Sequence, residues 1–216
     1  MLNTEHILFL ILAYLIGSFP SAVFVGRTFY NKDVREYGSG NAGATNTFRV
    51  LGKGAGIPVL LMDVLKGWLS VNYIYFITNG CNPFTETVTS SQFEIQVALG
   101  IAAVIGHLFP IYSGFRGGKG IATLLGLLVG LNPIAAIASI VVFIIVFLIS
   151  KYVSLGSILA SVAFPVVVFF ILDKENVNPS LELFSVFVPI LTLITHQKNI
   201  ERLIRGEENK VKFDKK

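Results

Sequence analysis

Two stretches of this 216-residue chain combine glycine, small hydrogen-bonding side chains and cations in a pattern suited to holding phosphate. The first runs from Tyr37 to Gly54, YGSGNAGATNTFRVLGKG. Ser39, Asn41, Thr45 and Asn46 offer polar side chains, Gly43 bares the main chain, and Arg49 and Lys53 bring positive charge. Backbone N–H groups in such a turn form an anion-binding concavity. A helix starting near Ala44 would add the positive end of its dipole. A flexible connection with helix-capping residues has a similar composition, but it does not need Ser-Gly-Asn followed by Thr-Asn-x-x-Arg.

The second stretch is GHLFPIYSGFRGGKG, residues 106 to 120. It resembles a nucleotide phosphate loop but misses G-x-x-x-x-G-K-[ST] twice. Gly114 stands too close to Gly118, and Gly120 replaces the hydroxyl residue. Nucleotide hydrolysis is therefore not expected. Lys119, with Gly117 and Gly118 before it, remains a good phosphate ligand because the backbone can approach the anion closely. His107 lies near the end of an apolar run, where a helix-end hydrogen bond and a functional role are equally compatible with its position.

Two further polar pairs stand at helical spacing. Ser154 and Ser157 in SKYVSLGSI are at i and i+3, as are His196 and Asn199 in THQKNIERLIRGEE. Such residues share one helix face, although small hydroxyl residues also serve ordinary helix contacts in membranes. Arg202 and Arg205 read as the basic face of an amphipathic helix on anionic lipid. Asp63 and Lys66, the charges well inside an apolar run, read as a structural ion pair.

These residues must be positioned by membrane helices. The chain is 53% hydrophobic and 14% charged, with mean hydropathy +0.71, where a soluble domain carries about 25% charged residues. Apolar runs broken by turn residues predict seven spans: 6–26, 57–78, 94–110, 120–131, 133–149, 154–172 and 181–196. The first run has no basic region before it and no small-residue cleavage site after it, so a retained span is expected. Asn132 and Pro133 break the fourth from the fifth, leaving a kinked helix or a hairpin. Charge favours the hairpin. Arg27, Lys32, Arg35, Arg49, Lys53, Arg116, Lys119 and Lys151 fall in connections that one side must share with the basic tail, and lysine and arginine collect on the cytoplasmic side. The expected fold is all-α, with about seven transmembrane helices, the N-terminus outside and the C-terminus cytoplasmic.

The single cysteine, Cys81, allows no intramolecular disulfide and reads as an incidental thiol. No cluster of acidic or histidine residues is at hand to hold Mg²⁺ or Zn²⁺. The polar motifs gather at the cytoplasmic ends of the spans. That distribution argues against a transporter, whose site belongs near the midplane; a phosphoester transporter stays as the alternative from another class.

GSGNAGATNTFR, GHLFPIYSGFRGGKGIAT, KYVSLGSI and the closing H-x-x-N-I-x-R-L-x-x-G-x-E resemble the PlsY family of bacterial membrane glycerol-3-phosphate acyltransferases. The resemblance runs from YLIGSFPSA in the first span through Glu207, with Ile121 standing where valine is expected. It implies a membrane-embedded acyltransferase domain over 1–207, followed by a basic tail over 208–216. It further implies acyl transfer from acyl phosphate to the 1-hydroxyl of sn-glycerol 3-phosphate, yielding lysophosphatidic acid and phosphate at the cytoplasmic face of the inner membrane. Substrates and membrane lipid are the implied partners, with no cofactor, no metal, no nucleic acid and a monomeric state. Carried over by motif position, His196, Asn199, Ser39 and Lys119 are the expected catalytic residues. Asn41, Gly43, Thr45, Asn46, Arg49, His107, Gly117, Gly118, Ser154 and Ser157 are expected to bind substrate. The proton acceptor is left open among His196, His107 and a substrate phosphate oxygen.

Overall fold

The structure, a computed structural model, describes residues 4–78, 90–174 and 177–211. Cys81 and the end of the tail lie outside them. Among the described residues every regular element is helical. The chain forms two compact units, Met1–Leu131 and Asn132–Lys216.

The first unit holds α1 (Thr4–Gly17), α2 (Ser21–Tyr30), α3 (Ala44–Leu51), α4 (Lys53–Thr78), α5 (Ser90–Leu108) and α6 (Ile121–Leu131). The first expected span is thus two helices, bent by 40°. Pro20 accounts for the break, because it has no N–H to continue the ladder from α1. Its carbonyl then starts α2 by accepting from Phe24.

Glycine sets how closely these helices meet. A β-carbon on Gly17 would run into the main chain of Ala103, and one on Gly106 into that of Tyr14 and Ser18, so α1 and α5 touch backbone to backbone. Gly67 and Gly126 do the same for α4 and α6, against the carbonyls of Thr123 and Val64. Without a hydrophobic drive between helices in lipid, such small-residue contacts are what lets them associate. Ala22, Val25, Val34, Ala55 and Val59 form a separate apolar cluster beneath the first polar loop.

The second unit holds α7 (Pro133–Ser150), α8 (Val153–Phe170), α9 (Pro179–Thr195) and α10 (Gln197–Ile204). Asn132 ends any continuous helix over 120–149: its backbone is extended, and its side chain caps α7 by accepting from the Ala135 N–H. Asn178 caps α9 in the same way through Ser180. In both cases proline follows at the first helical position, where its missing N–H costs nothing. Ile134, Ile137, Val141, Ile144, Ile145 and Leu148 make an exposed stripe along α7, as a lipid-facing helix requires.

Among the described residues four helices are long and apolar enough to cross a membrane, or six if each bent pair, α1 with α2 and α9 with α10, counts as one span. The seventh apolar segment, α6, has 11 residues and is about half as long as a span needs.

Candidate functional site

In the first unit the two glycine-rich loops meet. The chain leaving α2 is fixed first by Asp33, whose carboxylate takes hydrogen bonds from Arg35 Nη2 at 2.7 Å and Arg27 Nη2 at 2.8 Å. The Arg35 guanidinium, ahead of the opposing cost of burial, holds this carboxyl well below the usual carboxylate range. Arg35 also reaches across to the second loop, where Nη1 donates to the Ser113 carbonyl at 2.8 Å. Neither Asp33 nor Arg35 was singled out from the sequence; the readable signal was an acid and a base two residues apart, ahead of the glycines.

Asn46 is buried at the start of α3. Its Nδ2 donates to the carbonyls of Val34 and Tyr37, and its Oδ1 accepts from the Ser39 N–H. The amide therefore braces the first loop from inside, a different task from the substrate contact expected of it. Ser39, Thr45 and Arg49 are exposed around it, and Asn41 curls over Gly43, which precedes α3.

The second loop folds back on the end of α5. The Gly118 N–H donates to the His107 carbonyl at 3.2 Å, so it serves the helix end instead of pointing at an anion. Glycine is required at both positions of the turn. A β-carbon on Gly117 would strike the carbonyls of His107 and Leu108, and one on Gly118 would strike His107 Nε2 and come within 3.1 Å of the Ala42 carbonyl. The last contact joins the two loops directly. Lys119 follows, half-buried, while Arg116 is exposed.

Below this turn the expected Asp63–Lys66 pair is present, with Nζ 2.9 Å from Oδ1. It is joined by His107, whose Nδ1 lies 3.1 Å from Thr123 Oγ1 and 3.6 Å from Asp63 Oδ1. Thr123, the fourth residue after Lys119, was part of a quoted motif yet was not singled out.

The second unit builds its cluster around one carboxylate. Glu208 Oε1 accepts from Ser154 Oγ at 2.9 Å and Asn199 Nδ2 at 2.7 Å, while Oε2 accepts from Arg202 Nε at 2.7 Å. Burial alone would push this carboxyl up; the donors, led by Arg202 and then Asn199 and Ser154, outweigh it and hold Glu208 below its usual range. A boundary between domain and tail at 207/208 would cut this cluster. Ser157 spends its hydroxyl on the Val153 carbonyl, 2.9 Å away in its own helix. His196 sits at the bend of 67° between α9 and α10, with Nδ1 2.9 Å from the Thr192 carbonyl. A carbonyl only accepts, so Nδ1 carries the proton and Nε2 is the basic nitrogen of the neutral ring.

Of the expected residues, the structure gathers Ser39, Asn41, Gly43, Thr45, Asn46, Arg49, His107, Gly117, Gly118 and Lys119 within the first unit. His196, Asn199, Ser154 and Ser157 belong to the second.

The chain is similar to proteins of known activity. The sequence profile of the family described as glycerol-3-phosphate acyltransferase matches residues 7–206. A glycerol-3-phosphate acyltransferase of Chlorobaculum tepidum is 38% identical, covering 96% of this chain and 97% of its own length. One from Staphylococcus aureus (strain Newman) is 40% identical over 96% and 98%. Among solved structures, the glycerol 3-phosphate form of PlsY, an integral membrane glycerol 3-phosphate acyltransferase, superposes with a TM-score of 0.79 at 32% identity, covering 96% of both chains. Its lysophosphatidic acid form gives 0.77.

Proposed function

The chain belongs to the PlsY family of glycerol-3-phosphate acyltransferases, and from that premise we propose that it acylates sn-glycerol 3-phosphate with acyl phosphate as donor. The 1-hydroxyl oxygen attacks the acyl carbonyl carbon, the carbon–oxygen bond to phosphate breaks, and inorganic phosphate leaves with the electron pair. The hydroxyl proton ends on that phosphate, so atoms and charge balance without a covalent enzyme intermediate.

The observation that carries this reading is the meeting of the two loops, where Ala42 abuts Gly118 and Arg35 holds Ser113. Donor and acceptor both bear phosphate, and their mutual repulsion must be offset before they can react. Arg49 and Lys119 supply the positive charge in our reading, and Ser39, Asn41 and Thr45 the neutral donors. Lys119 Nζ is the group we assign to the leaving phosphate. Catalysis by a site of this kind is mainly positioning and charge stabilisation. We further propose that His196, through Nε2, and Asn199 take part in catalysis, as their place in the family motif implies. The basic residues of the connections support a cytoplasmic site, an outward N-terminus and a seven-span topology with α6 as a short member.

The test supplies purified protein with sn-glycerol 3-phosphate and, in parallel, palmitoyl phosphate or palmitoyl-coenzyme A. Lysophosphatidic acid with stoichiometric phosphate release from the acyl phosphate alone is expected. Product from the thioester alone would overturn the donor assignment.

A further inference from the structure

The buried cluster of Asp63, Lys66, His107 and Thr123 is larger than an ion pair requires. α4, α5 and α6 each bring at least one member to a place that is almost wholly buried, where charge is costly. Asp63 and Lys66 neutralise each other at 2.9 Å, and Lys66 Nζ is further held by the Phe19 carbonyl at 3.0 Å. Their charges are balanced, but buried Asp63 Oδ1 is left without a hydrogen-bond partner. His107 Nδ1 is hydrogen-bonded to Thr123 Oγ1 and faces Asp63 Oδ1 as a charge contact. With the Asp63 carboxylate facing it at 3.6 Å, Nδ1 is the nitrogen on which charge favours the proton, with Thr123 Oγ1 as its hydrogen-bond partner and Nε2 as the acceptor. Nε2 is the atom that a side chain on Gly118 would strike, and the same residue's carbonyl takes the Gly118 N–H. The imidazole thus lies between a fixed charge pair and the turn that ends in Lys119.

We propose that Asp63, Lys66 and Thr123 are positioning residues that lock the rotamer and tautomer of His107, and through it set the Gly117–Gly118–Lys119 turn for a substrate phosphate. A small crevice beside the ring, lined by Ser21, Ala42, Lys66, His107, Ser113 and Gly117, brings the cluster to the junction of the two loops. Rotation of the imidazole would displace Gly118, and with it the neighbouring Lys119. The second-layer groups act on affinity by this route without touching substrate. The proposal rests on the phosphate reading of the turn.

Steady-state kinetics of Thr123→Val, Thr123→Ser and the double variant Asp63→Asn/Lys66→Met test it, together with ¹⁵N spectra of histidine-labelled protein in detergent. Thr123→Val should raise KM for sn-glycerol 3-phosphate or acyl phosphate about 3- to 10-fold, the worth of one net hydrogen bond, with kcat changed less. Thr123→Ser should stay within about 2-fold, since it keeps the hydroxyl. Asp63→Asn alone leaves a buried lysine unpaired and is expected to fold poorly; the double variant removes both charges and decides the matter. It should fold, lose the Nδ1–H signature of His107, and bind phosphate substrate about 10-fold more weakly. A folded double variant with unchanged KM and an unchanged histidine spectrum, or Thr123→Val with unchanged KM, would reduce the cluster to a structural ion pair. Failure of the wild-type protein to use acyl phosphate would sink the donor assignment instead, and the spectra would still report on the His107 tautomer.

Discussion

The two polar clusters handle negative charge in opposite ways. In the first unit both buried carboxylates, Asp33 and Asp63, are tied to cations of their own, and the exposed Arg49 is in no such pair among the described residues. In the second unit a carboxylate is the hub, and Ser154, Asn199 and Arg202 all donate to it. The first cluster therefore suits anions that arrive from outside, whereas the second already contains its anion and is suited to fixing neutral donors in place. Ser154, Asn199 and Arg202 are thus held by a protein carboxylate, whereas Arg49 is left to meet an incoming anion in our reading.

Removing a cation from the first cluster should do the most damage. Lys119→Ala is expected to lower kcat/KM at least about 100-fold in folded protein, as loss of a charge-stabilising group does; ordinary Michaelis constants and turnover would refute the phosphate role. Next comes Glu208→Ala, which leaves Ser154, Asn199 and Arg202 without their acceptor. A loss of about 1–3 kcal/mol in stability is expected, read as a lower unfolding temperature in detergent, with activity falling alongside it. Asn46→Ala should cost a similar or smaller amount by releasing two carbonyls and the Ser39 N–H, and should raise KM through a loosened first loop. Ser157→Ala should matter least. Its hydroxyl is bonded within α8, so kinetics within about 2-fold of wild type are expected; a large loss would restore it to the substrate-binding set.

Acid separates the two regions more finely. Asp33 and Glu208 both have lowered values in the fold, so each contributes stability in full above its ordinary titration range. That contribution is lost as pH falls through the folded value. Asp33 is held lower, so in acid titrations of the solubilised protein the Glu208 cluster should fail first. Asp33→Asn should flatten the response that remains below about pH 4.

Much of this was legible in the sequence, for identifiable reasons. Helix content and the break at Asn132 follow from apolar runs and from an asparagine-proline start signal, both local. The Asp63–Lys66 pair was legible because i and i+3 meet on any helix. The bend at Pro20 was passed over because the apolar run continues across it, and hydropathy does not register a missing N–H. Asn46 looked like a ligand because its type and setting suit one; that its amide is spent on Val34, Tyr37 and Ser39 depends on how the loop closes. Arg35 with Ser113, Thr123 with His107, and Glu208 with Ser154 pair residues far apart in the chain. No spacing rule reaches them.

The glycine contact between α4 and α6 also bears on how the protein is built into the bilayer. An aspartate and a lysine each oppose membrane entry by about 2.5–3.5 kcal/mol at a helix centre, but one turn apart on α4 they enter as a single neutral dipole. Gly67, the residue after Lys66, then lets the main chain of α6 press against that helix, bringing Thr123 alongside. In the reading proposed above, biogenesis and affinity share the same few atoms, and Gly67→Ala would register first as failed assembly, before any assay of acyl transfer could be run.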